Sequence, residues 1–367
     1  MVSFFEHQKT IGIVGTGSDA NKFIEAANEL GYYTHQLIPS GAEKPRPSKA
    51  DHLHQGSLSD LVIQESFLME SDYLVYFDFS VCSADLVEAE KSLVIPQGEE
   101  LLAIAQDRSL QKAFYESIGV NIAPYEMIVT EEDIVNALPS LGYPAVLRKN
   151  VVQEEEELDS YFIYEEADIK EASELLKYGP AVLESWIVSE HQLAITAVKS
   201  KNGEIQLYPI VKKHYQNERL SKISPIDMDE TELVSEIKKA AKLIVGNIDF
   251  VGVVSIEFLI SPAQALYLGQ IHPYPNSISR YSEGNPLYSS LEAHLRAISS
   301  LPLAEIKPEE LNFSYHPLYA DQQEAIEQAV LEKNEGLFYF SPTVKEGKID
   351  LDDKIGYYLT AEKDWIL

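Results

Sequence analysis

Residues 251–271, VGVVSIEFLISPAQALYLGQI, fix their own local structure more tightly than any other stretch of the chain. The first ten are rich in β-branched and aromatic residues, residues 261–264 carry turn chemistry, and an apolar run resumes at Ala265. The pattern predicts a β-hairpin. With a four-residue loop, Ile260 faces Ala265 and Glu257 faces Leu268, so Gln270 becomes a diagonal neighbour of Glu257 on the same face. That face is turned either to water or to a ligand, and the hairpin alone does not decide which.

At 367 residues, 45% of them hydrophobic, the chain is long enough for two or three domains with a sizeable core. Its apolar stretches are strand-length, and the N-terminus lacks a basic segment followed by an apolar core. We therefore expect a cytoplasmic protein with no membrane association. The single cysteine, Cys82, cannot form an intramolecular disulfide and is expected to pack in the core. With 59 acidic against 29 basic residues and a formal charge of −30, nucleic acid is not an expected partner. A nucleotide ligand would need a locally basic pocket or a metal ion.

Along the chain, residues 10–17 read as a short strand ending in glycines. A helical pattern follows, with Phe23, Ala26, Ala27 and Leu30 on one face, and residues 32–38 form the next strand. This is a βαβ unit. Gly15 and Gly17, with Ala20 in the third place, match the dinucleotide fingerprint loosely, but the second strand ends in Pro39-Ser40 rather than the acidic residue that would hold a ribose. That argues against a nicotinamide or flavin site. Strands at 73–79 and 93–95 extend a parallel-sheet domain, and a helix at 109–118 is stopped by Gly119.

From this helix onward the residues resemble the ATP-grasp fold, and within it the 5-(carboxyamino)imidazole ribonucleotide synthetase family of purine biosynthesis. Residues 110–125 (LQKAFYESIGVNIAPY) match the family's entry helix, 141–149 (LGYPAVLRK) the strand into its first phosphate-binding lysine, and 181–187 (AVLESWI) its adenine hinge. Residues 250–258 and 268–273 match its metal-binding hairpin, and 286–302 the helix after the active site. The resemblance implies a reaction in which ATP phosphorylates bicarbonate and the carboxyl group passes to the amine of aminoimidazole ribonucleotide. Such chemistry uses magnesium on two carboxylates, a lysine on the same phosphate oxygens and a glycine-rich lid.

Carried over residue by residue, the resemblance makes Arg148, Lys149 and Lys354 the catalytic cations. It assigns the nucleotide to Glu184, Trp186, Ile187, Gln192, Lys199 and His214, and the metal to Glu257, Gln270 and Asn276, with Ser277 as the alternative to Asn276. Several positions depart from the family. Gln270 replaces the second metal carboxylate, Gln192 replaces the ribose glutamate with Glu190 nearby, and Lys212-Lys213 stands where a Glu-Asn pair is expected. The lid segment, residues 150–159 (NVVQEEEELD), has no glycine and four successive glutamates. Tyr274 and Asp353 replace arginines that hold the substrate phosphate, leaving Arg280, Lys345 and Lys348 as nearby cations.

The expected architecture is α/β and α+β: an N-terminal parallel-sheet domain (1–98), a central two-lobed ATP-grasp domain (99–302) and a small C-terminal β-rich domain (303–367). ATP and magnesium are the implied cofactors, with both sites weakened by the substitutions, and the implied assembly is a homodimer. Two functions stand at this point: an ATP-dependent carbon–nitrogen ligase acting on a ribonucleotide, and a catalytically silent relative that binds a nucleotide or a partner protein.

Overall fold

The βαβ pattern is realised as β1 (Thr10–Val14), α1 (Gly17–Glu29) and β2 (Tyr33–Pro39), followed by β3 (His52–Gly56) and β4 (Tyr73–Tyr76) in a parallel sheet of order β3-β2-β1-β4. Ile11, Ile13, Phe23, Ile24 and Ala27 are buried where α1 covers the sheet. Strand β3 carries no apolar alternation and was not legible as a strand. The expected strand at 93–95 contributes only an isolated parallel bridge, Tyr73 to Val94. Cys82 is exposed just before α2 (Ser83–Ala89), so the expectation of core packing is corrected: the buried apolar surface there comes from Leu86 and Ala89.

The computed structural model describes residues 9–40, 48–79, 81–152, 160–217, 219–226, 231–322, 328, 336–340 and 354–361. Most of the acidic lid segment (153–159), together with Lys345, Lys348 and Asp353, lies outside them.

Two helices, α3 (Glu99–Gln106) and α4 (Arg108–Ser117), lead into the smaller lobe. That lobe contains β5 (Tyr125–Ile128), α5 (Glu131–Leu141), β6 (Ala145–Lys149), β7 (Ser160–Ile163) and β8 (Ala181–Ser185) in an antiparallel sheet of order β5-β8-β6-β7. A capping box starts α5: the Thr130 hydroxyl accepts from the Asp133 N–H, and the Asp133 carboxylate accepts from the Thr130 N–H.

The larger sheet follows, with β9 (His191–Lys199), β10 (Ile205–Leu207), β11 (Val211–Gln216), β12 (Arg219–Pro225), α6 (Glu232–Gly246), β13 (Gly252–Ile260), β14 (Leu266–His272) and α7 (Ser290–Ile298). The C-terminal strands β15 (Ser314–Tyr319), β16 (Leu337–Phe340) and β17 (Lys354–Thr360) complete the order β14-β13-β9-β11-β12-β15-β17-β16, with β10 on β9. They are antiparallel, and they join the rest through the pair Ile223 to Tyr315, continuing the sheet instead of forming a separate layer. One face of this sheet packs Leu193, Ile195, Ile256 and Phe258 against Val234, Ile237, Ala241 and Ile244 of α6. Among the described residues no helix is long and apolar enough to cross a membrane.

Helix α7 lies on β13 through His294, which is fully buried between the rings of Phe23 and Phe77. Its Nδ1 accepts the Val253 N–H at 3.0 Å. Gly252, at φ +131°, is required by that approach, since a Cβ there would sit 2.7 Å from the imidazole. Burial pushes the His294 pKa down to about 3. The folded value lies below the unfolded one of about 6.5, so the contribution is complete above that pH and falls away as the unfolded chain takes the proton. Denaturant melts should therefore lose about 2 kcal/mol through this group between pH 7 and pH 5. His294→Asn, which keeps an acceptor near the Nδ1 position, should show a pH slope shallower by about one proton.

Candidate functional site

The hairpin forms, but its register differs from expectation. Ile260 pairs with Leu266 and Phe258 with Leu268, so the loop has five residues, 261–265. Gln264 adopts φ +61° and Ala265 donates to the Ser261 hydroxyl. Such a slip would carry the polar residues into the core. A bulge between Ile256 and Phe258 restores the parity: Ile256 pairs with Ile271 and Ser255 with His272. Glu257 sits at this bulge, and with Gln270 and His272 it lies on the face opposite the buried Ile256–Ile271 pair.

On that face Glu257 meets two partners. Its Oε2 accepts from the Lys213 Nζ at 2.8 Å, and its Oε1 lies 2.8 Å from the His272 Nε2. The three side chains are only 20%, 14% and 15% exposed. Burial alone would raise the Glu257 pKa, but the Lys213 ammonium and His272 override it and hold the carboxyl well below the usual range. Burial likewise opposes the charge on Lys213, and Glu257 overrides it and holds the ammonium above its ordinary value. Gln192 is the cross-strand neighbour of both Lys213 and Leu259, which adds an amide to the same face.

The small lobe presents a second charged pair. Glu184 on β8 lies 3.2 Å from the Lys112 Nζ of α4, with both side chains nearly buried. Trp186, just past β8, is 39% exposed with its ring edge-on to Phe162 at 4.8 Å, and Ile187 follows half-buried. On β6, Arg148 is paired in the ladder with Ser160 and Val182, and the Lys149 ammonium lies 4.6 Å from the Tyr178 ring centroid. The chain leaving β6 is anchored at once. Arg108 donates to the Lys149 carbonyl, Asn150 donates to Asp107, and Ser109 donates back to Asn150.

The structure separates other expected members. Lys199 donates to the carbonyls of Val245 and Ile248, capping the end of α6. His214 follows Lys213 on β11 and so faces the other side of the sheet, with its Nε2 3.2 Å from the Ser224 hydroxyl. The Asn276 side-chain oxygen accepts the Ile278 N–H, forming a turn, and the residue is nearly buried. Lys354 is on β17, with its ammonium 5.5 Å from the Tyr315 ring, on a different sheet from Arg148 and Lys149. Tyr274 is buried against Phe77 and Phe79. Arg280, also buried, donates to Ser18 at 2.8 Å and pairs with Asp19, while Lys22 pairs with Glu283 and Tyr357. Among the described residues no group of three or more His, Cys, Asp or Glu side chains is arranged to hold a metal ion.

Residues 113–278 match the ATP-grasp domain family. The chain carries an ATP-grasp domain. It is similar to the N5-carboxyaminoimidazole ribonucleotide synthase of Bacillus subtilis (strain 168), 28% identical over 297 residues, spanning 80% of this chain and 77% of that one. The Staphylococcus aureus (strain COL) synthase is 26% identical over 296 residues, 80% and 78% of the two chains. Among solved structures, an N5-carboxyaminoimidazole ribonucleotide synthetase in its ADP complex superposes with a TM-score of 0.88 at 24% identity, over 99% of this chain and 95% of that one. The Aspergillus clavatus synthase in complex with ADP and 5-aminoimidazole ribonucleotide gives 0.83 at 20% identity, over 96% and 94%. These likenesses establish the fold.

Lys112, Lys213 as the partner of Glu257, and His272 were not singled out as site residues from the sequence. His272 shares strand parity with Gln270 and was within reach of that reasoning. Lys213 needed the pairing of β11 with β9, which no local signal supplies. Removing the carboxylate by Glu257→Gln should cost about 2–3 kcal/mol at pH 7, since it leaves a largely buried ammonium without its counter-charge. Because the folded carboxyl titrates below the unfolded value of about 4.3, this contribution is complete above that pH and disappears as pH falls through the folded value. Melts of the two proteins should therefore begin to converge below about pH 4 and continue to do so as pH falls further.

Proposed function

We propose that the chain is a nucleotide-binding protein of the ATP-grasp type, descended from the carboxylating synthetases it resembles, that does not turn over aminoimidazole ribonucleotide. The observation that carries this reading is the Lys213 ammonium seated on Glu257 at 2.8 Å, on the carboxylate the resemblance assigns to a metal ion. Supporting it are the neutral Gln270 beside that carboxylate, the burial of Tyr274 among aromatic rings where a phosphate-binding cation is expected, and the glycine-free acidic sequence after Lys149. Loss of a guanidinium from a phosphate site is not conservative. We take the chain to act as a homodimer, divided at residues 98 and 302.

The carboxylating ligase is the second reading, favoured by the small lobe, where Glu184, Lys112 and Trp186 keep a charged and aromatic surface suited to adenine. Phosphate release separates the two. We expect no rise when aminoimidazole ribonucleotide and bicarbonate are both added to protein and ATP, whereas substrate-stimulated turnover near about one per second would establish the ligase. Calorimetric titration in magnesium buffer, beside the B. subtilis relative, should give ATP affinity at least about tenfold weaker, a loss of about 1.4 kcal/mol or more.

A further inference from the structure

Magnesium takes oxygen ligands in near-octahedral geometry and is held through carboxylates plus substrate phosphates. The residues here do not fit it. Glu257 is the one carboxylate among the assigned ligands, Gln270 carries no charge, and the Asn276 oxygen already accepts a backbone N–H. An ammonium also stands 2.8 Å from the carboxylate oxygen a divalent ion would use. We propose that the Lys213 ammonium is this site's resident cation, so that the chain takes the polyphosphate of a nucleoside di- or triphosphate free of divalent metal, and binds it less well when magnesium is added.

Charge arithmetic favours the exchange. Two carboxylates holding one divalent ion sum to zero, and so do Glu257, the neutral Gln270 and the Lys213 cation. The residues at 213 and 270 together thus make up the two positive charges that the divalent ion would bring, one by carrying a cation and the other by lacking a carboxylate. The ammonium is held in place: Glu257 takes one of its donors, and His272 fixes the other oxygen of that carboxylate. An ammonium has three donors; Glu257 and Tyr215 take two, which leaves a third, and Gln192 and Gln270 on the same face add amides able to donate to phosphate oxygens. Magnesium-bound nucleotide would bring a second cation against Lys213 and meet repulsion.

The inference rests on the nucleotide-binding reading above, and calorimetric titration of ADP and ATP into the full chain tests both. In EDTA we expect affinity at least about tenfold tighter than in excess magnesium chloride, a difference of about 1.4 kcal/mol. Lys213→Met should lose at least that factor in EDTA and Lys213→Arg should retain affinity. The double variant Lys213→Met with Glu257→Gln leaves no unpaired charge and should show the same loss with an intact melting transition. Binding that is equal or tighter with magnesium, or unaffected by Lys213→Met, overturns this inference and leaves nucleotide binding standing. Absence of binding in both buffers overturns the nucleotide reading itself, and this inference with it.

Discussion

A nearly buried carboxylate on an interior strand of a nine-stranded sheet has to be neutralised, and here Glu257 is neutralised from within. Lys213 reaches it from β11, two strands away across β9, and His272 reaches it from β14 on the other side. The pair therefore spans β14-β13-β9-β11 and reports on the register of each. The bulge at Glu257 is what makes this possible: without it the five-residue hairpin loop would turn Gln270 and His272 into the face covered by α6. Glu257 is thereby part of the sheet's own electrostatics.

The same internal pairing recurs at the start of α1. There the glycine-bearing turn after β1 leads to Asp19, and Arg280 and Lys22 are held by Asp19, Glu283 and Tyr357. Burial opposes the charge on Arg280, and Asp19 and Glu283 override it to stabilise the guanidinium. Arg280 looks from sequence like a spare cation for substrate phosphate, but in the structure it already has counter-charges. In a chain of net charge −30, cations buried against carboxylates are cations withdrawn from ligands.

Local pattern was enough to read the βαβ unit and the hairpin, while the two-lobed architecture was read from the family resemblance. Apolar periodicity and glycine placement report on contacts within about ten residues, and those elements depend on little else. The failures share a cause. The hairpin loop was read one residue short because Ala265 looks like strand, whereas the turn uses it to donate to Ser261. Strand β3, HLHQG, forms because β2 offers a parallel edge, and no apolar rhythm announces that. Lys199 and His214 lie on strands of the expected lobe but point to a helix end and to the opposite face, which follows from strand parity only once the pairing of β9 with its neighbours is known. Lys213 and Glu257 are 44 residues apart, beyond the reach of any spacing rule.

Tyr274 and Gln97 carry a mechanical consequence. Gln97, fully buried, accepts the Tyr76 N–H and donates to the carbonyls of Tyr76 and Pro273, while the Tyr274 ring lies among Phe77 and Phe79. The residues just past the hairpin are thus stitched to the last strand of the N-terminal sheet by side-chain amide hydrogen bonds and ring contacts out of reach of water. Any displacement of those two parts relative to each other would break buried hydrogen bonds and ring contacts together, with no water at hand to replace them.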